Sequence, residues 1–222
     1  MSDKFFSLLE NNSFVFLDGG MGTMLQAFGI KTEHVPELLN LTAPEAVMRI
    51  HRLYVESGSD IIYANTFGAN RIKLAKSGHT AAEVISAGIA NAKKAAAGQA
   101  LVALDLGPTG QLLEPAGTLK FEEAYDIYKE SVLAGKDADV IVIETMTDLY
   151  EVKAALLAAK ENSDKPVLVT MSFEQNMRTF TGVSPECMVA VLEGLGADAI
   201  GVNCSLGPDK MLPLISRFTE NA

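Results

Sequence analysis

Six short apolar runs punctuate the chain, at residues 14–17, 60–64, 100–104, 140–143, 167–170 and 199–202. They are near-continuous rather than alternating, the pattern of parallel strands covered on both faces. Between them the apolar positions recur at a helical period. Residues 44–56 place Val47, Ile50, Leu53 and Tyr54 on one face and open on T-A-P-E, a helix start. Residues 80–97 are Ala-rich and stop at Gly98, and 121–136 align Ala124, Ile127, Tyr128 and Val132. Further helices are predicted over 147–160, 185–195 and 208–218. His51, in M-R-I-H-R-L-Y, is expected on a helix surface, and Cys187, in S-P-E-C-M-V, as a small buried hydrophobe.

The order is strand then helix, repeated, with no linker-like stretch, so one domain is expected. Two architectures fit. A doubly wound sheet closes with five or six strands in about 200 residues. An eight-stranded barrel uses about 250. Length slightly favours the open sheet for 222 residues. Two features weigh against it. The first turn, D-G-G-M-G-T, has neither the G-x-G-x-x-G spacing nor a P-loop. Polar residues also follow every run, whereas an open sheet gathers its ligand groups at one switch point.

Composition narrows the partners. A net charge of −10, without a basic stripe, argues against nucleic acid and anionic membranes. No apolar run reaches the 18 residues of a membrane helix, and the N-terminus M-S-D-K-F-F-S-L-L-E-N-N reads as too short and too charged for a signal peptide. Two cysteines make no disulfide framework, so a reducing, cytoplasmic compartment is expected.

The residues after each run carry the candidate chemistry. Asp18-Gly19-Gly20 offers a carboxylate for an ammonium and glycines that let a ligand approach, or else a turn. Asn65-Thr66-Phe67 offers neutral donors and acceptors and an aromatic wall, or a local turn network. Asp105 opens a rigid L-G-P-T-G loop, as a site group or a turn Asp. Glu144 follows V-I-V-I, where it needs a cation, from a ligand or from a neighbouring Lys or Arg. Asn203-Cys204 ends the last run. His34, His51 and His79 lie away from the run ends, so Cys204 has no obvious base for nucleophilic catalysis.

Five motifs, in this order, resemble the homocysteine S-methyltransferase family: L-D-G-G-M-G-T-M-L-Q (17–26), A-N-T-F-G-A-N-R-I-K-L (64–74), L-G-P-T-G (106–110), I-E-T-M-T-D (143–148) and G-V-N-C-S-L-G-P (201–208). The likeness is closest to the homocysteine-binding N-terminal module of the cobalamin-dependent methionine synthases. It implies a (β/α)8 barrel in place of the open sheet, with six βα units in residues 1–222 and the chain stopping after helix six. It implies methyl transfer to homocysteine, held as a zinc thiolate, from methylcobalamin on a corrinoid-carrying partner module. Asp18 and Glu144 would act as the catalytic carboxylates and hold the substrate ammonium. Gly19, Gly20, Asn65, Thr66, Asp105 and Asn203 would complete the substrate site. Cys204 would be one of three zinc thiolates, the other two belonging to a G-G-C-C-G motif that these residues lack. Three alternatives stay open: a truncated non-catalytic paralogue, a module that binds a partner or its own copy through exposed barrel edges, and a barrel methyltransferase with another donor or thiol acceptor.

Overall fold

In the computed structural model, residues 2–31, 35–204 and 206–222 are described. His34 and Ser205 lie outside them. The chain opens with three helices, α1 (Ser2–Asn11), α2 (Met21–Ala27) and, after a 3-10 turn at Pro36–Leu38, α3 (Leu39–Thr42). Strands and helices then alternate: α4 (Pro44–Glu56), β1 (Ile61–Tyr63), α5 (Ala81–Ala96), β2 (Leu101–Leu106), α6 (Phe121–Ala134), β3 (Val140–Met146), α7 (Leu149–Asn162), β4 (Val167–Met171), α8 (Pro185–Gly194), β5 (Ala199–Val202) and α9 (Pro208–Thr219).

Among the described residues the five strands are parallel and neighbour one another in chain order, β1-β2-β3-β4-β5. A doubly wound sheet reverses its order at a switch point; this sheet does not, so the slight preference for that architecture is overturned. The winding runs one way around, as in a barrel wall, and the sheet is open rather than closed.

The first apolar run is not a strand. It touches β1 through one parallel bridge, Leu17 to Ile61. Around it, Phe16 O accepts from Asp60 N–H and Ile61 N–H, and Asp18 N–H donates to Ile61 O. Phe14 and Phe16 remain 77% and 63% exposed. With a single neighbour three residues long, the segment lacks the two-sided ladder and cover that its composition suggested.

The sheet separates two apolar layers. Alternate residues Ile62, Leu104, Ile141, Ile143, Val167 and Val169 face helices α5 to α7 in the main core. The opposite set, Ile61, Ala103, Val140 and Val142, packs with Phe5 of α1. An N-terminal helix thus plugs the inner face at the starting ends of the strands, leaving the carboxyl ends free.

Local signals explain the helix limits. Thr80 caps α5 with a full capping box: Glu83 N–H donates to Thr80 Oγ1 at 3.2 Å, and Thr80 N–H donates to Glu83 Oε2 at 2.8 Å. Asp148 Oδ1 caps α7 by accepting from Tyr150 N–H at 3.0 Å. Two expectations are corrected. His51 is fully buried, because it lies four residues from Val47 and three from Met48 on the face of α4 turned inward. Cys187 is exposed, on the solvent side of α8, while Met188 and Val189 turn into the core.

Candidate functional site

A cavity of about 340 Å³ opens at the carboxyl ends of the strands. This is near the small end of ligand cavities, which run from ~300 to 1,000 Å³. Every strand contributes to it: Tyr63 and Asn65 from β1 and its end, Asp105 from β2, Glu144 from β3, Thr170 from β4, Asn203 and Cys204 from the end of β5. The segment before β1 adds Asp18, Gly19 and Gly20. Eight of the nine residues expected to form the site therefore line one cavity. Thr66 does not. Its hydroxyl is buried between Asp105 O and Asp105 N–H, at 2.9 and 3.0 Å, and it holds the end of β2 against the end of β1.

The acids are positioned by backbone and amide donors. Tyr63 N–H donates to Asp18 Oδ2 at 3.0 Å. Asn203 Nδ2–H donates to Glu144 Oε2 and to Thr145 Oγ1, both at 2.9 Å, while Asn203 Oδ1 accepts from Thr145 N–H at 3.1 Å. One side-chain amide thus ties the end of β5 to β3 across β4. It can do so because β3 is irregular there: its register to β4 shifts between Ile143 and Met146, and Thr145 takes φ 59°. Such bulges re-aim side chains next to sites, and here the shift carries Glu144.

The glycine after Asp18 serves packing as well as access. A side chain at Gly19 would begin 2.8 Å from the Tyr54 hydroxyl, which donates to Gly20 O at 3.2 Å. Asn65 Nδ2 donates to Pro36 O at 3.1 Å and to Asn40 Oδ1 at 3.3 Å, fixing the loop over the mouth of β1. Phe67 forms a wall that leans on Gly107, where a Cβ would lie 2.4 Å from the ring. Gly107→Ala is expected to displace that ring and to cost about 1–3 kcal/mol in stability, the usual penalty of overpacking, read in denaturant melts.

Electrostatics give the cavity its character. Asp18, Asp105 and Glu144 face it together, and no Lys or Arg is among its described lining residues. Burial pushes the Asp18 carboxyl up to about 7, against the Tyr63 N–H, with the Glu144 charge adding to the rise. Burial, then the charges of Glu144 and Asp18, push Asp105 well above the ordinary carboxylate range. Burial raises Glu144 too, partly offset by Asn203. Lys73 stands 5.2 Å over the Phe67 ring, outside the lining; burial lowers its pKa while Glu37, Glu151 and Asp105 raise it. A cavity with three acids and no cation of its own suits a cationic ligand group.

Tyr63 and Thr170 were not foreseen. Both lie within their apolar runs rather than after them, on the same face parity as the acids: Thr170 pairs with Gly201 in register and Tyr63 with Ala103. Counting by twos back from the strand ends is the signal that would have found them.

A parallel α/β wall with an acidic ligand cavity at its carboxyl ends is what fold and site define. The family model of homocysteine S-methyltransferase matches residues 15–222, and the chain belongs to that family. It is 30% identical over 226 residues to methionine synthase of Mycobacterium leprae (strain TN), and 30% over 230 residues to that of Mycobacterium tuberculosis (strain ATCC 25618 / H37Rv). Each match covers 92% of this chain and 19% of the relative, so the chain spans about a fifth of the length of these curated relatives. In fold it is similar to the homocysteine methyltransferase MmuM from Escherichia coli. The metallated form matches with a TM-score of 0.86 at 21% identity over 97% of this chain and 83% of that one. The apo form matches at 0.79 and 22%, over 97% and 81%.

Proposed function

We propose that this chain binds homocysteine in the strand-end cavity and presents its sulfur for methylation to methionine. The observation that carries the reading is the set of three acids around one cavity that has no described lining cation, with Cys204 among the same lining residues. Asp18 and Glu144 take the substrate ammonium. Backbone amides near Gly19 and Gly20 take its carboxylate, and the thiol lies toward Asn203 and Cys204. A methylated corrinoid on another module would supply the methyl group: the sulfur–carbon bond forms as the bond to the donor breaks, and the thiol proton leaves to solvent. Residues 1–222 form one domain of (β/α)8 type, and the open sheet is a section of its wall.

The family resemblance implies a zinc ion on three thiolates. Cys204 is exposed, in left-handed backbone at φ 62°, and its Sγ lies 3.5 Å from Asn203 Nδ2. Among the described residues, no group of three or more His, Cys, Asp or Glu is placed to hold a metal. One thiolate is not a zinc site, since catalytic sites have three protein ligands. The residues here do not fit the ion, and no step above depends on it.

The test is titration of L-homocysteine into the 222-residue chain, with metal analysis of the same sample. Saturable binding with well under one zinc per chain is expected. No binding at millimolar ligand would sink the reading, and stoichiometric zinc would reveal ligands beyond those described.

A second reading, a module that docks another chain or its own copy, draws on the open sheet and on exposed Phe14 and Phe16 beside it. A monomer in sedimentation would count against self-association.

A further inference from the structure

Thr170 stands in β4, paired with Gly201 and lining the cavity. Its Oγ1 is shut off from solvent and has no hydrogen-bond partner. A buried hydroxyl left unpaired destabilises the fold, by about the cost of desolvating it. Valine has nearly the same shape, suits a strand better and carries no such penalty. The position therefore holds a polar atom that the fold itself does not use.

A second oxygen is in the same state. Asp105 Oδ1, on β2, is buried without a partner, and Asp105 lines the same cavity. Thr170 and Asp105 flank β3, the strand that carries Glu144. The cavity thus presents carboxylate oxygens and the hydroxyls of Tyr63 and Thr170, while the amide N–H groups of Asn65 and Asn203 are already engaged within the fold. A ligand carboxylate beside Thr170 would meet Glu144 and Asp105 as like charges. A thiol brings a single weak donor. A primary ammonium brings three strong donors, more than Asp18 and Glu144 need if each takes one.

We propose that Thr170 is a specificity-determining residue of this cavity, its side chain turning so that the hydroxyl oxygen accepts the third hydrogen bond of a substrate ammonium held by Asp18 and Glu144. The assignment rests on the homocysteine reading and adds to it a residue that selects for the amino group. It also explains the unpaired hydroxyl: the free protein gives up stability that bound ligand restores.

The experiment compares wild type, Thr170→Val and Thr170→Ser by calorimetric titration with two ligands, L-homocysteine and 4-mercaptobutanoate, which is the same chain without the amino group. Melting curves are taken on each protein. Thr170→Val should bind homocysteine about ten-fold more weakly, within the range of one hydrogen bond to a charged group. Thr170→Ser should recover most of that loss. The des-amino ligand should bind wild type and Thr170→Val alike, and Thr170→Val should melt no lower than wild type. Unchanged homocysteine affinity in Thr170→Val would overturn the assignment. So would equal weakening of both ligands, which would place the hydroxyl on the carboxylate or thiol. A Thr170→Val that melts well below wild type would show the hydroxyl to be partnered within the fold. Wild type that binds neither ligand would overturn the homocysteine reading and the assignment together, whereas binding that is indifferent to Thr170→Val would overturn the assignment alone.

Discussion

Exchanging Asp18 for Asn is expected to weaken L-homocysteine binding ten- to a hundred-fold, roughly 1.5–3 kcal/mol, the range for a hydrogen bond to a charged group. The fold should tolerate the change, because an amide oxygen can still accept the Tyr63 N–H that Asp18 Oδ2 accepts at 3.0 Å. What is lost is the charge. In the free protein that charge is disfavoured: burial outweighs the Tyr63 N–H, the Glu144 charge adds to it, and the carboxyl sits at about 7. A bound ammonium reverses this, since an opposite charge favours the ionised form.

The pH dependence has a definite sign. Below 7 the free carboxyl is mostly protonated and must release its proton to hold an ammonium. Wild-type affinity should therefore rise from pH 5.5 to 8. In the Asn variant the rise should be shallower, the remainder belonging to Glu144 and Asp105, which burial also raises. Stability runs the other way. The folded value lies above the ordinary 3.8, so the contribution of Asp18 to stability is fully present below 3.8 and is lost as pH rises through about 7. Asp18→Asn should then be the more stable protein at pH 8 and no better at pH 4. Titrations and urea melts across this range check both signs; equal affinity of the two proteins at pH 8 would remove Asp18 from the site.

The parts of this molecule legible in the sequence are those where one physical cause dominates. Residues 140–143 read as a strand because both faces are buried, which leaves an unbroken apolar run. Asp18, Asp105 and Glu144 read as site residues because an acid at the end of such a run needs a reason to be there. Residues 14–17 have the same composition, but pairing depends on distant neighbours, and only β1 is present on one side. Helix α1 escaped notice because its anchor, Phe5, packs on residues some 56 to 137 positions further along the chain, at Ile61, Ala103, Val140 and Val142. Thr66 follows a strand just as Asn65 does, yet the pleat turns it outward, to within 2.9 Å of where a Cβ on Gly88 of α5 would lie. Side-chain direction at a strand end is set by register, and a list of residues that follow the runs does not contain it.

His51 illustrates the same limit and yields the second large effect. Replacing it with Leu should stabilise the protein near neutral pH and remove much of its sensitivity to acid. The ring is fully buried on α4, and neither Nδ1 nor Nε2 has a hydrogen-bond partner. An unpaired buried polar group costs about 1–3 kcal/mol, whereas a hydrophobic replacement of similar volume usually costs under about 1.5. A net gain near 1 kcal/mol at pH 7.5 follows. The acid effect is larger. Burial alone lowers the imidazole from its ordinary 6.5 to about 4. The unfolded chain then takes up a proton that the folded one refuses, so this contribution is present above 6.5 and is lost as pH falls toward 4. At about 1.4 kcal/mol per unit, the loss is on the order of 3 kcal/mol. The buried acids of the cavity act with the opposite sign, so the raw stability of wild type does not isolate the effect. The difference between wild type and His51→Leu does, because the acids are common to both. That difference should be level above about 6.5 and widen from there to pH 4 in denaturant melts. A constant difference would mean that the ring is already charged or shares a proton with an internal water, and a variant less stable than wild type at pH 7.5 would mean that its nitrogens are paired.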